Sequence, residues 1–304
     1  MNKKLPFRSG FVAVAGRPNV GKSTLVNAYL GQLVAPISPR PQTTRRKQLG
    51  ILTLPDTQIV FVDTPGLHKQ IDQLGSYMNM AAESALEDAD LILWLVSADE
   101  MPTEEDALIS KKLLSLKRSQ PVFLVLNKID RLSPLELADS EKLFSPLAPG
   151  AEIHHVSALS GTGKDDLLQA VISGLPEGGP YYEEDQITDL YEKEITSDLI
   201  RAAVLDSLRD EIPYSVAVRV EEFIDRDDEN SSITATLFVE RESQKGIVIG
   251  KNAEMLKKIG TQARMEIERM TGRKVYLDLR VKVAPNWRND PGALKRFGYA
   301  PEKS

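Results

Sequence analysis

The chain has 304 residues, of which 41% are hydrophobic and 27% charged, a balance typical of a globular protein long enough for two domains. It contains no cysteine, which excludes disulfides, thiolate zinc sites and a thiol nucleophile. No run of about 18 apolar residues is present, which excludes a membrane-spanning helix. The start, MNKKLPFRSG, lacks the apolar stretch of a signal peptide, so we expect a cytoplasmic protein.

Charge is distributed unevenly along the chain. The net charge is −6, but residues 241–304 hold 15 Lys and Arg against 7 Asp and Glu, a local net of +8, which leaves −14 for the other 240 residues. One interpretation is an unevenly charged surface with no binding role. The other is that the basic region binds a polyanion.

Six apolar runs within the first 160 residues predict β-strands: FVAVAG, QLGILTL, QIVFVDT, DLILWLV, PVFLVLN and AEIHHVS. Helical patterns alternate with most of them: KSTLVNAYL, GSYMNMAAESALED, EEDALISKKLLSL and DDLLQAVISGL. This alternation predicts parallel strands with helices on both faces of the sheet. Only PDT separates the second and third runs, which predicts an antiparallel hairpin. The expected fold is an α/β domain with a six-stranded, mostly parallel sheet.

The segment LPEGGPYYEEDQITD, at 175–189, breaks this alternation. Its prolines, glycines and acidic residues make it the best candidate for a linker. Beyond it we predict a helix at about 190–210, strands near YSVAVRVEEFI and SITATLFVER, the apolar stretch and polar loop GIVIGKNA, the helix EMLKKIGTQARMEIERMTG and the strand KVYLDLRVKV. The predicted element order of this smaller second domain is α-β-β-α-α-β.

A phosphate-binding loop follows the first strand. GRPNVGKS, from Gly16 to Ser23, matches GxxxxGK[ST] between a strand and a helix, the context in which glycines let backbone N–H groups surround phosphates. We expect Lys22 to reach the β- and γ-phosphates and Ser23 to ligate Mg²⁺. An ordinary glycine-rich turn is the weaker alternative. The predicted nucleotide-binding residues are Gly16, Arg17, Pro18, Asn19, Val20, Gly21, Lys22, Ser23 and Thr24.

The third strand ends in DTPG, which comprises Asp63, Thr64, Pro65 and Gly66. An Asp at the carboxyl end of such a strand lies beside the phosphate loop and can hold Mg²⁺ through a water molecule. Gly66 can present its N–H to the γ-phosphate, because no Cβ blocks the approach. A plain Pro-Gly turn is the alternative. The position after a strand favours the nucleotide site, so all four residues are predicted to bind the nucleotide.

NKID and VSAL, which end the fifth and sixth strands, predict which base is bound. The Asp130 carboxylate can accept both N1–H and the exocyclic amino group of guanine, whereas adenine would leave it unpaired. The Lys128 stem can cover the purine face, Asn127 can bridge loops, and the Ala158 N–H can reach guanine O6. The predicted base-site residues are Asn127, Lys128, Asp130, Ser157, Ala158 and Leu159.

These four motifs, in this order, resemble those of the translation-factor-related GTPases. PISPRPQTTRR is similar to the first switch of the Era family of GTPases, and NWRNDPGALKRFGY resembles the ending of that family, so the resemblance covers nearly the whole chain. It implies that Ser23, Asp63 and Thr44, with Thr43 as the alternative to Thr44, hold Mg²⁺. It also implies a GTPase domain followed by a KH domain, in a protein that binds the single-stranded 3′ end of small-subunit ribosomal RNA and assists maturation of the small ribosomal subunit.

Under this resemblance we place the GTPase domain at 8–178, a linker at 179–189, the KH domain at 190–284 and a C-terminal tail at 285–304. The implied partners are GTP, GDP, small-subunit ribosomal RNA and the small ribosomal subunit. A GTPase held peripherally at the inner face of the membrane by its basic region is less favoured, because no apolar face flanks the basic residues. An ATPase with a DNA-binding module is disfavoured by NKID.

The residue after DTPG bears on hydrolysis. Ras-like proteins carry a Gln there that orients the attacking water, whereas this chain has Leu67, which cannot do so. His68 is adjacent, but a lone loop histidine is more often a surface residue. In related GTPases an Asn at the place of Asn19 accompanies a K⁺ ion that supplies positive charge beside the phosphates; a simple turn residue is the equal alternative. The predicted catalytic residues are Lys22, Thr44, Asp63, Gly66 and Asn19, with Mg²⁺ as cofactor and K⁺ as an activating ion.

The sequence GKNA at 250–253 almost matches the GxxG loop with which KH domains hold a nucleic-acid backbone. Ala253 occupies the place of the second glycine. We expect it in the first turn of the following helix with a negative φ, where a Cβ costs the backbone nothing. Lys251 offers its charge to a phosphate. Ile247 and Ile249 are expected to form an apolar wall under the bases, or to pack in the core, or both.

Other basic and aromatic residues near the C-terminus complete the RNA-site prediction. Lys257, Lys258 and Arg273 contribute only if they cluster on the binding face, and are otherwise solvated surface. Trp287 either stacks on a base or docks the tail. The predicted RNA-binding residues are Ile247, Ile249, Gly250, Lys251, Asn252, Ala253, Lys257, Lys258, Arg273 and Trp287.

Overall fold

A computed structural model describes residues 6–32, 44–66, 72–117, 120–190 and 192–299. The chain forms two compact units: one holds a six-stranded sheet, and the other, which begins its main segment at residue 190, holds a three-stranded sheet. In the described ranges, no helix is both long enough and apolar enough to cross a membrane.

The first sheet is built from strands that alternate with helices along the chain. The strands are β1 (Arg8–Ala15), β2 (Gln48–Leu54), β3 (Thr57–Asp63), β4 (Leu91–Ser97), β5 (Val122–Asn127) and β6 (Glu152–Val156). The helices are α1 (Lys22–Leu30), α2 (Gln73–Asp88), α3 (Glu104–Leu114), α4 (Pro134–Phe144) and α5 (Lys164–Gly174). The strand order is β2-β3-β1-β4-β5-β6, with β2 antiparallel to β3 and the other pairs parallel. Both the mostly parallel sheet and the predicted hairpin are confirmed.

Both faces of this sheet are buried, as its central strand shows. Leu91, Leu93 and Leu95 of β4 pack into one hydrophobic cluster, while Trp94 and Val96 pack into another. Successive strand residues point to opposite faces, so a continuous apolar run indicates a strand covered on both sides. The carboxyl ends of β1, β3, β4, β5 and β6 consequently meet along one edge of the sheet, where the motif-bearing loops begin.

Helix α4 was not among the predicted helices, although the sequence carries a signal for it. Ser133 caps the helix, Pro134 occupies its first turn, and the Glu136 side chain accepts a hydrogen bond from the Ser133 N–H at 2.8 Å. The Ser133 hydroxyl in turn accepts from the Glu136 N–H at 3.4 Å. This reciprocal capping box, S-P-L-E in the sequence, is a start signal that hydrophobic periodicity alone does not reveal.

The segment predicted as a linker lies against the first sheet over much of its length. The Ile51 N–H of β2 donates to the Ile187 carbonyl at 2.8 Å, and the Leu49 N–H donates to Asp189 Oδ1 at 3.2 Å. Gln58 Oε1 accepts from the N–H groups of Tyr181 and Tyr182 at 2.7 and 3.0 Å. The bonds from Ile51 and Leu49 satisfy backbone groups of β2, the edge strand of the sheet, which would otherwise be open to pairing.

The second unit follows the expected element order. Its elements are α6 (Glu192–Ser207), β7 (Ala217–Asp225), β8 (Asn230–Val239), α7 (Glu242–Ile249), α8 (Glu254–Thr271) and β9 (Lys274–Val283), followed by the short helix α9 (Pro291–Arg296). Strand β8 is central, antiparallel to β7 and parallel to β9. The predicted α-β-β-α-α-β order is confirmed.

Candidate functional site

The phosphate loop turns sharply between β1 and α1. Gly16 and Gly21 have φ angles of 149° and 102°, and Asn19 has a φ of 65°. A Cβ on Gly16 would collide with the Leu95 carbonyl, and one on Gly21 would collide with the side-chain amide of Asn127. The loop therefore needs both glycines for space as well as for conformation. Asn is one of the few residues that adopts the left-handed conformation at low cost.

Lys22 begins α1 and turns back over the loop. Its ammonium group donates to the carbonyls of Gly16 and Arg17 at 2.9 and 3.0 Å. Burial lowers the pKa of Lys22 to about 8, although the nearby Asp63 carboxylate opposes this shift. Nucleotide phosphates would be stronger acceptors than the two carbonyls, and their charge would favour the protonated amine.

Three of the predicted magnesium ligands converge beside Lys22. The Ser23 hydroxyl donates to Asp63 Oδ2 at 2.6 Å, the Thr44 hydroxyl donates to the same oxygen at 3.1 Å, and the two hydroxyl oxygens lie 3.3 Å apart. Asp63 Oδ1 is buried and has no hydrogen-bond partner among the residues that the structure describes. Burial raises the pKa of Asp63, while the Lys22 charge and the two hydroxyl donors oppose the shift. An unpartnered buried carboxylate oxygen beside two hydroxyls fits a hard divalent cation.

Gly66 lies against the phosphate loop. A Cβ there would meet the Pro18 ring at 2.9 Å and the Pro18 nitrogen at 3.0 Å. The expected reason for a glycine was access to the γ-phosphate, and the structure adds a second reason in the loop itself. The Thr64 hydroxyl donates to the Val14 carbonyl at 3.0 Å, which ties this segment to β1. Three other residues considered at the sequence level, Thr43, Leu67 and His68, lie outside the described residues.

Asn127 connects three parts of the nucleotide site. Its side-chain amide donates to the Val20 carbonyl at 2.7 Å, and its Oδ1 accepts from the Ala158 N–H at 2.9 Å. The predicted bridge between loops is thus present. The Ala158 N–H, which we expected to face guanine O6, is directed to Asn127 in this structure. Asp130 is exposed, and Leu159, which follows Ala158 in the chain, is 80% exposed.

Arg17 of the phosphate loop is held by acidic residues that the motifs did not indicate. Its Nη2 lies 2.5 Å from Glu100 Oε2, and its Nε lies 3.3 Å from Asp106 Oδ2. Its charge is therefore already compensated within the protein. The signal in the sequence was the acidic pair Asp99-Glu100, one residue beyond β4, at the edge of the sheet where ligand-binding loops begin.

The loop at 250–253 corrects one prediction. Ala253 has a φ of 61° and caps α8 in the left-handed conformation, so it is not in the first helical turn with a negative φ. Asn252 is left-handed as well, at 53°, and Gly250 has a φ of 73°. These residues connect α7 to α8. An alanine in this conformation costs about 1–2 kcal/mol, which explains why the pattern has a glycine at this place.

The predicted RNA-binding residues differ in how accessible they are. Lys251, Asn252, Lys257 and Lys258 are exposed. On α7, Ile247 is 49% exposed and Ile249 is half-buried, while Val248 between them is fully buried and forms the core contact. Arg273 is the least available cation, because it lies 2.9 Å from Asp225 Oδ1 and 3.7 Å from Glu192 Oε2.

Trp287 docks the C-terminal tail, which corrects its assignment to RNA binding. Its side chain is fully buried, and its Nε1–H donates to the Ser215 carbonyl at 2.8 Å. The indole ring packs edge-on against Phe297 and stacks on Tyr299, with centroids 5.4 and 5.8 Å away. A base could reach the indole only if the tail came away, so the docking alternative is the one observed.

This α/β sheet carries a phosphate loop, the predicted magnesium ligands close together, and the NKID segment predicted to recognise guanine. These features define a phosphate-loop GTPase, which is joined here to a KH domain. Family models agree: one described as 50S ribosome-binding GTPase matches residues 11–128, and one described as KH domain matches residues 211–288. The GTPase Era of Geotalea uraniireducens is 47% identical over 96% of this chain and 98% of its own length. That of Lacticaseibacillus paracasei is 47% identical over 96% of each chain. The chain belongs to the Era family of GTPases.

Two solved structures of relatives resemble the whole chain. Era from Aquifex aeolicus, as a point variant bound to GDP and AlF₄⁻, has a TM-score of 0.91 and 39% identity, covering 97% of this chain and 100% of its own. An Era complex with MgGDPNP and nucleotides 1506–1542 of 16S ribosomal RNA has a TM-score of 0.89 and 40% identity, with the same coverage. The family expected from the sequence is confirmed.

Proposed function

We propose that this protein binds GTP with Mg²⁺, hydrolyses it to GDP and phosphate, and uses its KH domain to bind the single-stranded 3′ end of small-subunit ribosomal RNA during maturation of the small subunit. The observation that carries the enzymatic part is the convergence of Ser23, Thr44 and Asp63 beside Lys22. The RNA part is supported by the GKNA loop in a basic region and by the relative whose structure contains 16S ribosomal RNA.

In this proposal Ser23, Thr44 and Asp63 hold the Mg²⁺ ion. A bound Mg²⁺ supplies positive charge to the phosphate oxygens as charge develops on them. Lys22 binds the β- and γ-phosphates once it leaves the carbonyls of Gly16 and Arg17, and its buried position strengthens that attraction. Backbone N–H groups of the loop at the start of α1 orient the phosphates.

Base selection is assigned to Asp130. Its exposed carboxylate is free to accept N1–H and the exocyclic amino group of guanine, and Asn127 holds the neighbouring loops in register. The Lys128 stem covers the purine face. We propose that the Ala158 N–H, which donates to Asn127 here, lies close enough to this surface to serve guanine O6 when the base enters.

Asn19 is proposed to bring an activating K⁺ ion to the phosphates. Its left-handed backbone places an exposed side chain at the turn of the phosphate loop. The nearby Arg17 cannot supply the missing charge, because Glu100 and Asp106 already compensate its guanidinium group. Positive charge beside the transferred phosphoryl group, beyond that of Lys22 and Mg²⁺, therefore has to come from a further ion or a partner.

For RNA, the loop at 250–253 lets the backbone of a single strand come close while Lys251 offers its charge to a phosphate. Ile247 and Ile249, both at least partly exposed, are proposed to contact bases. Lys257 and Lys258 add positive charge on the exposed side of α8. Arg273 contributes less, since Asp225 and Glu192 neutralise it. The proposed location is the cytoplasm, where small-subunit precursors are assembled.

A side-by-side titration tests the proposal. A labelled RNA with the 3′-terminal sequence of small-subunit ribosomal RNA, the DNA of identical sequence and anionic liposomes are each titrated with the protein in GTP and in GDP, both with Mg²⁺. We expect RNA to bind most tightly, and nucleotide competition to show GTP preferred over ATP. Tighter binding to liposomes would instead support a peripheral membrane GTPase, and equal competition by ATP would defeat the nucleotide assignment.

A further inference from the structure

A small ionic network joins the two halves of the nucleotide site. Its centre is the acidic pair Asp99-Glu100, which lies one residue beyond the end of β4, at the carboxyl edge of the sheet. Glu100 uses its two carboxylate oxygens separately: Oε2 lies 2.5 Å from Arg17 Nη2, and Oε1 lies 3.6 Å from Lys128 Nζ. One carboxylate therefore contacts both the phosphate loop and the base-recognition segment.

On the phosphate side, Arg17 is mostly buried, with 12% of its side chain exposed. Besides Glu100 it faces Asp106, a fully buried carboxylate whose Oδ2 also accepts from the Thr103 hydroxyl and N–H at the start of α3. Asp106 is thus fixed by the helix cap. Because one side of the guanidinium lies against a fixed residue, Glu100 determines where its other side is held.

On the base side, Lys128 has a left-handed φ of 68°, which is unfavourable for a lysine and needs support from its surroundings. Its ammonium group has two carboxylates nearby, Glu100 at 3.6 Å and Asp99 at 3.9 Å. Asp99 is itself fixed by the Ser97 hydroxyl at 2.5 Å and by Arg131 at 2.7 Å. The end of the Lys128 side chain is thereby anchored.

Both acids are ionised at neutral pH. Burial raises the pKa of Glu100, but the hydrogen bond and charge of Arg17, together with the Lys128 charge, outweigh it and leave the pKa below its usual value. The pKa of Asp99 is lowered in the same way, with Ser97, Arg131 and Lys128 outweighing the effect of burial. The carboxylates of the network therefore remain charged at neutral pH.

We propose that Glu100 is a positioning residue that ties the phosphate loop to the base-recognition segment and thereby slows nucleotide dissociation. The inference rests on the proposed GTP binding. A nucleotide contacts both segments at once, so a carboxylate that holds them together reduces the ordering that binding must otherwise impose. When the tie is removed, the base and phosphate contacts are lost more easily one after the other, and dissociation quickens.

The test compares dissociation rates of fluorescently labelled GDP and GTP from the wild type and Glu100→Gln, which keeps the shape and removes the charge. We expect both nucleotides to leave about fivefold faster. Glu104→Gln is the matched control: it removes the same charge from an exposed position at the start of α3, and its rates should equal those of the wild type. Glu100→Asp keeps the charge on a shorter side chain, and its dissociation rates should lie between those of the wild type and Glu100→Gln.

A double-mutant comparison separates positioning from a merely structural role. In a Lys128→Met background, Glu100→Gln should add far less than its full effect, because the group that it holds is gone. An equal fold-change in both backgrounds, or wild-type rates in Glu100→Gln, overturns the inference. If the wild type itself fails to retain guanine nucleotides, the proposed function fails instead, so the two failures are distinguishable.

Discussion

The phosphate loop and the GKNA loop both contain backbone with positive φ, and both are proposed to contact a phosphate chain, but they need this backbone for different reasons. In the phosphate loop, Gly16 and Gly21 have no room for a Cβ, because the Leu95 carbonyl and the Asn127 side chain occupy that space. In the GKNA loop, Ala253 carries a Cβ at a φ of 61° on a partly exposed surface, where only the backbone preference opposes it.

The difference shows that a sequence pattern can require a glycine for two separate reasons: because there is no room for a Cβ, or because the backbone has a positive φ. A buried loop enclosed by other elements imposes both, so a replacement would displace its neighbours. An exposed loop imposes only the conformational cost, which is small enough for an alanine to be tolerated. We therefore expect the nucleotide site to tolerate few substitutions and to be base-specific. We expect the RNA loop to tolerate substitutions better, with an RNA affinity that depends on its charge.

Asp130→Asn should have the largest effect on binding, because it removes base specificity from the nucleotide site and leaves the RNA loop unchanged. The amide cannot accept both guanine donors, so we expect GTP affinity to fall about a thousandfold or more. Xanthine carries a carbonyl where guanine carries the amino group, so xanthosine triphosphate should gain affinity. Nucleotide competition measures both changes, and a variant that still prefers guanine would contradict the role of Asp130.

Gly21→Ala tests the space requirement. The new Cβ would overlap the Asn127 amide, which cannot move aside while it donates to the Val20 carbonyl and accepts from Ala158. We expect GTP affinity to fall about a hundredfold, the scale of a misplacement of about 1 Å in a preorganised site. RNA binding without nucleotide should stay at the wild-type level. Unchanged GTP affinity would show that the loop has more freedom than its packing indicates.

Charge reversal in the RNA loop tests the second region. Replacing Lys251 and Asn252 together by Asp should weaken RNA binding roughly thirtyfold through repulsion of phosphates, with a shallower salt dependence and intact GTP binding. Lys142→Asp with Gln169→Asp makes the same change in charge on exposed positions of α4 and α5, and should leave RNA affinity unaltered. RNA binding that survives in the loop variant would place the contact elsewhere.

The monovalent ion gives a smaller effect in the first region. If Asn19 holds K⁺, GTP turnover should be about fivefold faster in K⁺ than in Na⁺ at equal ionic strength, the scale of about 1 kcal/mol in the barrier. Asn19→Ala should remove the difference between the two salts. Equal turnover of the wild type in both salts would leave Asn19 as a turn residue only.

Ala253→Gly should have the smallest effect and sharpens the comparison directly. A glycine relieves the left-handed strain, so we expect the free energy of unfolding to rise by about 1 kcal/mol and RNA affinity to change by less than about threefold. The control Ala107→Gly changes an exposed residue within α3. It should lower the free energy of unfolding, because Ala107 has a helical conformation, in which alanine is favoured over glycine. Thermal unfolding followed for both variants decides this, and destabilisation by Ala253→Gly would contradict the conformational argument.

Most of the architecture and the core of the nucleotide site could be predicted from local patterns. Alternating apolar strands and amphipathic helices indicated the sheet, and the spacing of the glycines, Lys22 and Ser23 indicated a phosphate loop. Asp63 was identified because its position after a strand implies a place at the sheet edge. Helix α4 was missed because its signal lies in the capping pair Ser133 and Glu136 and not in hydrophobic periodicity.

The sequence by itself determined the class of fold, the family and the residues proposed to contact the nucleotide, because these depend on short motifs and on periodicity. Only the tertiary structure decided the conformation of Ala253, the burial of Trp287 and the pairing of Glu100 with Arg17 and Lys128. The last two depend on contacts between residues far apart in the chain, and the first depends on how two consecutive helices are connected. Long-range contacts of this kind leave no fixed spacing in a single sequence.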